Sequence, residues 1–417
     1  MVDTEKLTQE IGRELFNLVK KEVRPVVSSH WWKEKGMTWI IKDESLRARA
    51  LGFVDVYPAL ATKNQKVQHF KEYFGREIPG IAVPMMDLVI QKMAQHFITG
   101  ATLEEISKTI KKIEKMGACF TLNSLGEAIL SESEAESYTT GYISLIGALK
   151  SSRDRNYSVK PSSLYSQFDP IDFEGSVSAV QKRYRRILRK AKEVGAFLNL
   201  DSEPYYFLDL VQEIFMRTLS EEEFRDLDKV GMVLQAYLLD SEARLRKIIE
   251  WAKRRGSPIT LRLVKGAYWD TEVILAKQKG WSIPVFTQKW QTDLNFEKLA
   301  DLILKAYPAV KLATGSHNIR SVAHAIAKAM ALGLPKNALE IQVLWGMGDP
   351  LMKAILKMGY PGRVYLTIGN LVEGMGYLAR RIIENTSQES FLRQSFGYNL
   401  PVQDLLRSPE EVTRCRS

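Results

Sequence analysis

The amino-acid sequence predicts a closed (βα)8 barrel, a TIM-like α/β fold, preceded by an all-helical N-terminal region. Residues 1 to about 115 show helical periodicity, and from Gly117 onward eight short apolar segments alternate with helical ones. Residues 118–395 are also close in length to the ~250 residues typical of such a barrel. An open, doubly wound sheet has the same alternation and is the alternative fold. The predicted domains are a helical region over 1–116, the barrel over 117–395 and a C-terminal tail over 396–417.

The N-terminal region is predicted to contain at least three helices. Residues 12–23 and 84–97 place apolar side chains three and four positions apart, as one buried helix face requires. Pro84 suits the first helical position, where no backbone N–H is needed. Thr102 followed by Glu105 is a capping-box pattern, and it predicts a helix that runs to about Met116.

The barrel strands are predicted from eight short apolar segments, which are 118–126, 157–163, 197–203, 231–237, 259–268, 310–317, 339–345 and 363–369. Amphipathic helical patterns lie between them, such as 177–194 and 240–255. The apolar segment 283–289 would make a ninth strand. We interpret it as an irregular connection after the fifth strand.

Composition excludes several classes of protein. Lys and Arg number 59 against 49 Asp and Glu, so the formal net charge is +10, and this suits an ordinary basic surface, a membrane surface, nucleic acid or an anionic ligand. The two cysteines, Cys119 and Cys415, are too few for a disulfide framework, which favours a reducing compartment such as the cytoplasm. The start of the sequence does not resemble a signal peptide, and no apolar run is long enough to span a membrane.

Polar side chains recur at or just after the ends of the predicted strands. They are Glu127, Lys160, Asp201, Gln235, Arg262, Lys265, Ser316, His317, Asn318, Gln342 and Tyr365. Barrel enzymes place their chemistry at these carboxyl ends, and a buried polar group without a partner is costly. The set therefore predicts a polar ligand or a mutually paired network. Singly, Lys160 could lie half exposed on a strand edge, Asp201 could cap the next helix, and His317 could be structural.

A second candidate site lies on the last predicted helix of the barrel. Tyr377, Arg380, Arg381 and Glu384 are spaced so that they fall roughly along one helix face. Paired guanidinium groups suit a carboxylate or a phosphate, although a solvated basic face is the alternative. Phosphate-loop, zinc-protease and serine-hydrolase motifs are absent, and no metal-ligand spacing is found.

Four segments resemble flavin-dependent proline dehydrogenases, most closely the proline dehydrogenase half of the bifunctional proline utilization A proteins. They are SVKPSSL (158–164), RLVKGAYWD (262–270), SHN (316–318) and YLARRIIENTSQESF (377–391). LGEAILSESEA (125–135) and RALGFVDVYPAL (49–60) are similar to the same group. The resemblance covers about residues 45–395, and the family fold is a (βα)8 barrel.

The resemblance implies FAD-dependent oxidation of L-proline to 1-pyrroline-5-carboxylate, the first step of proline catabolism to glutamate, with electrons passed to a quinone or a similar acceptor. The catalytic residues it implies are Lys160, Asp201, Tyr365, Arg380 and Arg381. The substrate pocket would be lined by these residues together with Leu263, Tyr268 and Tyr377. Residues expected to contact FAD are Asp201, Gln235, Arg262, Val264, Gly266, Trp269, Ser316, His317, Asn318, Gln342, Glu384, Ser390 and Phe391. Glu127 would pair with Arg380 as a gate over the pocket.

The sequence departs from the family pattern at four positions. Asn123 stands where Asp is usual, Thr367 where Pro is usual, and Trp345 where His or Tyr is common. Gln288 replaces an Arg, which would remove a charged contact to the cofactor phosphates.

Four further expectations concern partners and function. Nothing resembles an aldehyde dehydrogenase domain, so either a separate enzyme takes the product or the chain is a fragment of a bifunctional protein. Contact with the inner face of a membrane is compatible with a quinone acceptor and the positive charge. The alternative function is a non-catalytic barrel that binds proline or an anion. Nucleic-acid binding is not expected, because no basic stripe is interleaved with aromatic residues.

Overall fold

The structure is a computed structural model, and it describes residues 3–23, 97–125, 129–149, 154–369, 377, 381 and 401–414. Eight strands are present in the described residues: β1 Cys119–Ser124, β2 Asn156–Val159, β3 Phe197–Leu200, β4 Val230–Gln235, β5 Ile259–Val264, β6 Val310–Gly315, β7 Leu339–Leu344 and β8 Gly362–Ile368. Each lies within or overlaps one of the eight predicted segments, so the strand prediction is confirmed, and every strand ends earlier than predicted.

Helices occupy most of the remaining described chain. They are α1 Thr4–Val23, α2 Leu103–Met116, α3 Glu132–Ala148, α4 Phe173–Val194, α5 Leu208–Ser220, α6 Ser241–Arg255, α7 Trp269–Lys279, α8 Lys289–Lys305, α9 Ile319–Ala331, α10 Asp349–Lys357, α11 Val402–Leu405 and α12 Pro409–Arg414. Short 3-10 turns lie at Pro161–Leu164, Pro170–Asp172, Tyr205–Phe207 and Lys336–Ala338.

The eight strands form a closed parallel barrel in chain order. Closure occurs between β1 and β8, which pair from Cys119–Arg363 to Ser124–Ile368. The barrel prediction is confirmed, and the open-sheet alternative is wrong because an open sheet would leave these two strands as edges. The segment 283–289 forms no strand; only Val285 makes an isolated bridge, to Leu238, as expected of an irregular connection.

Strand residues alternate between two very different environments. The outward face is apolar and packs beneath the helices, for example Leu122, Leu198, Leu261, Ile341 and Leu366. The inward face of the same strands carries many charged, amide and hydroxyl groups, such as Ser158, Arg262, Gln342 and Tyr365. Since parallel barrels usually fill their interior with branched apolar residues, the polar interior is the feature of this fold that needs a functional explanation.

The predicted helix starts and stops are confirmed where they are described. Thr102 is the N-cap of α2, and its side chain accepts a hydrogen bond from the Glu105 N–H, 3.3 Å away. α2 ends at Gly117, which adopts a left-handed conformation with φ of 89°. The predicted helix 12–23 lies within α1, whereas residues 84–96 lie outside the described residues.

The N-terminal helix and the C-terminal segment meet on the outside of the barrel. Arg320 of α9 is bound by the Glu5 and Glu297 carboxylates at 2.6–3.0 Å and donates to the Leu406 carbonyl at 3.0 Å. Leu406 is buried with the main core. These contacts fix α1 and residues near 406 to α8 and α9, whereas the domain boundaries at 116 and 395 stay predictions.

Within the described residues no helix is long and apolar enough to cross a membrane. In the same ranges, no cluster of three or more His, Cys, Asp and Glu side chains could hold a metal ion.

Candidate active site

The centre of the site is a hydrogen-bonded cluster inside the barrel. Arg262 on β5 donates from Nη1 to Asp201 Oδ1 at 2.9 Å and from Nε to Gln342 Oε1 at 2.6 Å. Tyr365 on β8 donates to the other oxygen of Asp201 at 2.8 Å. Asp201 directly follows β3, so four strands contribute, and the contacts join strands that are not neighbours. Such contacts must cross the interior, which shows that these side chains point inward.

Two further interior groups complete the surroundings of this cluster. Ser158 accepts from Arg262 Nη1 at 3.2 Å, and Asn199 donates to Asp201 Oδ1 at 3.1 Å. Both oxygens of the Asp201 carboxylate therefore accept hydrogen bonds, two at Oδ1 and one at Oδ2. Its alternative role as a helix cap is excluded, because its oxygens face Arg262, Tyr365 and Asn199.

Electrostatics keep the Tyr365 phenol protonated. Burial, together with the nearby Asp201 carboxylate, raises the pKa of Tyr365 well above 10, so the phenol remains a proton donor. The Arg262 guanidinium also lies over the Tyr365 ring, 5.1 Å from its centroid. The cluster is a buried ion pair whose remaining hydrogen-bonding positions are largely satisfied, the condition under which such pairs are tolerated.

One nitrogen of Arg262 is left over for a ligand. Nε and Nη1 are used within the protein, whereas Nη2 has no hydrogen-bond partner among the described residues. Since Nη2 is not one of the fully buried polar atoms, it is in contact with accessible space. Arg262 therefore offers one charged N–H group to a ligand, while its other nitrogens are held by hydrogen bonds to Asp201 and Gln342.

Lys160 follows β2 at the same end of the barrel. It is 9% exposed and lies in a closed barrel, so the alternative of a half-exposed strand edge is wrong. Its backbone begins the 3-10 turn Pro161–Leu164, and its carbonyl accepts from the Ser163 hydroxyl at 2.7 Å. The following Pro161 restricts the backbone of Lys160 to an extended conformation, which limits the directions open to the lysine side chain.

Gln235, at the end of β4, ties together two loops at the mouth. Its amide nitrogen donates to Ser202 Oγ at 2.8 Å and to the Glu203 carbonyl at 3.0 Å. Its amide oxygen accepts from the Ala267 N–H at 3.4 Å. The Glu203 side chain in turn accepts from the Ser162 N–H at 2.7 Å, which connects the loop after β2 to the loop after β3.

The loop after β5 carries Gly266, Tyr268 and Trp269. Gly266 has φ of +137°, and a Cβ atom there would lie 2.5 Å from the Tyr237 ring, so only glycine fits. Tyr268 and Trp269 open α7, and the Trp269 indole donates to the Phe286 carbonyl at 2.8 Å. The Trp269 side chain is nevertheless 38% exposed, which leaves ring surface available at the mouth.

The Ser316–His317–Asn318 segment after β6 is held by local bonds. His317 Nε2 accepts from the Leu344 N–H at 3.0 Å, and Asn318 caps α9 by accepting from the Ser321 N–H at 3.2 Å. Ser316 Oγ accepts from the Asn318 N–H at 3.2 Å. His317 and Asn318 thus have structural roles in this structure, and contact with a cofactor stays a prediction for all three.

Leu263 follows Arg262 on β5 and is fully buried in the main apolar core. Its side chain alternates with that of Arg262, which points inward. Its place in the substrate pocket stays a prediction. Val264 and Leu344, which end β5 and β7, lie on the inward side, and sequence reasoning did not select Leu344.

An apolar cluster lies at the mouth near the last predicted helix. It contains Tyr377, Phe97, Ile98, Leu125 and Met347, with Leu344 packed against it. Arg381 lies over the Tyr377 ring, 5.3 Å from its centroid, as the spacing of four positions predicts. Five other predicted site residues, namely Glu127, Arg380, Glu384, Ser390 and Phe391, lie outside the described residues.

Sequence reasoning also left unused a buried ion pair behind the β5 loop. Lys265 pairs with Asp293 of α8, and Lys289 approaches the same carboxylate at 3.2 Å. Burial lowers the pKa of Lys265 to about 8, against the attraction of Asp293. This pair anchors the loop that carries Gly266 and Tyr268 rather than facing the central cluster.

Two of the four departures from the family pattern are neighbours inside the barrel. Asn123 and Thr367 are paired in register on β1 and β8. Asn123 Oδ1 and Thr367 Oγ1 are both buried and have no hydrogen-bond partner among the residues that the structure describes. Gln288 is the N-cap residue of α8, and its N–H is bound by Gln291 at 3.2 Å.

Comparison with known proteins finds matches over most of the chain. A family model described as proline dehydrogenase matches residues 106–394, and one described as the proline utilization A N-terminal domain matches residues 5–120. A proline dehydrogenase of Deinococcus radiodurans is 31% identical over 311 residues, which is 74% of this chain and 92% of that protein.

The longer relatives are bifunctional. The bifunctional PutA protein of Klebsiella aerogenes is 28% identical over 338 residues, covering 78% of this chain but only 26% of that protein. The crystal structure of proline utilization A from Bdellovibrio bacteriovorus, inactivated by N-propargylglycine, matches with a TM-score of 0.87 and 37% identity. That match covers 98% of this chain and 44% of the other, so the chain spans less than half the length of these relatives.

Proposed function

Because the chain belongs to the proline dehydrogenase family, we propose that it oxidises L-proline to 1-pyrroline-5-carboxylate with FAD as the cofactor. The observation that carries the proposal is the interior cluster of Arg262, Asp201 and Tyr365, which leaves Arg262 Nη2 without a hydrogen-bond partner among the described residues. A buried cation that is held in place by hydrogen bonds stabilises an electron-rich, partly anionic ligand better than a neutral one.

The donors present at the mouth fit a flavin. Arg262 offers a charged N–H group, Trp269 offers exposed aromatic surface, and Gly266 lets the backbone pass where a side chain would collide. When bound, FAD would accept a hydride from the substrate carbon next to nitrogen. Gln235 would keep the loops after β3 and β5 in place around it, because it bonds to both.

The substrate would be held by groups on the opposite side of the mouth. Arg381, stacked over Tyr377, would bind the proline carboxylate together with Arg380, which lies outside the described residues. A desolvated cation beside the amine disfavours the protonated amine, so Lys160 would favour the neutral form that loses hydride. Tyr268, Tyr365 and Tyr377 would exclude water, and Glu127 would act as the gate through Arg380.

Partners follow from the same reaction. The reduced cofactor would pass electrons to a quinone, with the protein cytoplasmic or bound peripherally to the inner face of a membrane. The product would be used by an aldehyde dehydrogenase, either on a separate protein or on a further part of the same protein.

The test is a titration of the purified protein with FAD, followed by proline. We expect bound flavin whose visible absorbance is bleached by proline, and proline-dependent reduction of a quinone analogue. N-propargylglycine, which inactivated the Bdellovibrio relative, should inactivate this protein as well. Flavin that binds but is never reduced by proline would support the non-catalytic binding barrel instead.

The substrate site is tested separately through Arg381. Removing one partner of a desolvated ion pair typically costs roughly 3–5 kcal/mol. Arg381→Met should therefore lower kcat/KM for proline by roughly 10²- to 10³-fold or more, at about 1.36 kcal/mol per tenfold. Arg189→Met, which changes an exposed arginine of α4, is the matched control and should leave it unchanged. Near-normal efficiency in Arg381→Met would mean that the carboxylate is held elsewhere.

A further inference from the structure

A second row of polar groups lies inside the barrel below Arg262. Arg363, near the start of β8, donates to both oxygens of Glu340 on β7, at 2.7 and 2.9 Å. Glu340 Oε1 also accepts from the side-chain amide of Gln342 at 2.7 Å, two residues further along β7. The Gln342 oxygen then accepts from Arg262 Nε at 2.6 Å. These four residues form one continuous chain of hydrogen bonds that ends at Arg262.

The chain has only one possible direction. A guanidinium group only donates hydrogen bonds, and a carboxylate only accepts them. Between Arg262 and Glu340, the amide of Gln342 must therefore turn its oxygen toward Arg262 and its nitrogen toward Glu340. Rotating the amide by half a turn would place like groups together at both ends.

Glu340 keeps its charge in this setting. Burial raises the pKa of Glu340, but the charge of Arg363 and the hydrogen bonds from Arg363 and Gln342 outweigh burial and hold the pKa below its ordinary value of 4.5. Glu340 is thus an acceptor at neutral pH, and it fixes the orientation of the Gln342 amide.

We propose that Glu340 is a positioning residue for the cofactor site, which acts through Gln342 to hold Arg262 with Nη2 directed to the flavin. Asp201 fixes one side of the Arg262 guanidinium and the oxygen of Gln342 fixes the other, so the direction of Nη2 depends on both. The inference rests on the proposed FAD cofactor. A competing explanation is that Glu340 only neutralises Arg363 at the far end of the barrel and has no effect on Arg262.

The test compares Glu340→Gln, Gln342→Met and the double variant in the full chain. The measurements are the FAD dissociation constant, from quenching of FAD fluorescence, and the midpoint potential of the bound flavin. Each single variant should raise the dissociation constant about tenfold, the effect expected of one charge-assisted hydrogen bond. The potential should shift negative, because a loosely held cation stabilises the reduced flavin less. The double variant should be no worse than the weaker-binding single variant.

Asp154→Asn is the matched control. Asp154 pairs with Arg363 at the same end of the barrel, so its loss removes a charge partner without touching Gln342. It should leave both FAD measurements unchanged. If Glu340→Gln does not fold, Gln342→Met still allows the proposal to be refuted, because it keeps the pairing of Glu340 with Arg363 and unchanged FAD binding would show that Gln342 does not hold Arg262 for the cofactor.

The possible outcomes test two things separately: the assignment of FAD as the cofactor, and the action of Glu340 on Arg262 through Gln342, which we call the relay. If the unmodified protein binds no FAD, the proposed cofactor and the relay both fail. If it binds FAD but Gln342→Met binds equally well, the relay alone is refuted. Effects of the two single variants that multiply in the double variant would also refute it, since Glu340 would then act without Gln342.

Discussion

Replacing Asp201 by asparagine should remove most of what holds the interior cluster together. The carboxylate accepts from Arg262 at 2.9 Å, from Tyr365 at 2.8 Å and from Asn199 at 3.1 Å. In Asp201→Asn the amide oxygen would stay toward Arg262, because a guanidinium group can only donate, and toward the Nδ2 group of Asn199. The Tyr365 hydroxyl can rotate to accept from the new amide nitrogen, so hydrogen bonds are largely kept and the negative charge is lost.

The expected cost is therefore that of an unpaired buried cation. Arg262 is 6% exposed, and Asp201 is its only carboxylate partner in an ion pair among the described residues. Breaking a buried pair by removing one partner typically costs about 3–5 kcal/mol. Tyr365→Phe removes a single donor to Asp201 and should cost less, about 1–3 kcal/mol.

The assay is urea unfolding followed by circular dichroism, with the free energy of unfolding obtained by linear extrapolation. The control is Glu174→Gln, which removes the charge of an exposed ion pair with Arg217 and should leave the midpoint unchanged. The FAD dissociation constant should rise more in Asp201→Asn than in Tyr365→Phe. A variant Asp201→Asn as stable as the unmodified protein would refute the reasoning, because another group would then neutralise Arg262.

Three further predictions follow from individual buried groups. Thr367→Val should raise the free energy of unfolding by about 1 kcal/mol, because it removes a buried hydroxyl that has no hydrogen-bond partner among the described residues. A lower free energy of unfolding in urea would show instead that the hydroxyl is hydrogen-bonded. The pKa of Glu340 is lower in the folded state than in the unfolded state, so the unfolded state binds more protons and the free energy of unfolding falls as the pH drops below about 4.5. In Glu340→Gln the free energy of unfolding should depend less on pH in this range. An equally steep loss in the variant would contradict this. Burial and the nearby Asp154 raise the pKa of Cys119 to about 11, so in a Cys415→Ser background iodoacetamide should react far more slowly at pH 8 than after unfolding; equal rates would contradict this.

The order of elements is visible in the sequence because it depends on local periodicity. The eight strands were predicted from short apolar segments, and the cap of α2 from Thr102 and Glu105. Strand ends were predicted too long, since segments such as 259–268 continue into the mouth loops, where the residues no longer pair. Periodicity reports which residues can be buried, but it does not mark where hydrogen-bonded pairing stops.

The site could be predicted only as a set of polar residues at strand ends. Lys160, Asp201, Arg262 and Tyr365 were selected, whereas Glu340 was missed because it lies at the opposite end of its strand. Leu263 was selected from the family resemblance, and its place in the pocket stays a prediction because its side chain is buried in the main apolar core. Leu344, the inward residue at the end of β7, carries no polar signal that could have identified it.

By itself the sequence determined the alternation of strands and helices, and the polar character of alternate strand positions, because both are set by neighbouring residues along the chain. Tertiary structure decided which of these polar groups meet. Asp201 and Arg262 are 61 positions apart, and Arg262 and Gln342 are 80 apart. They touch only because closure of β8 against β1 turns one face of every strand toward a common axis. The strand register, which no local pattern encodes, then sets the height at which each side chain reaches that axis.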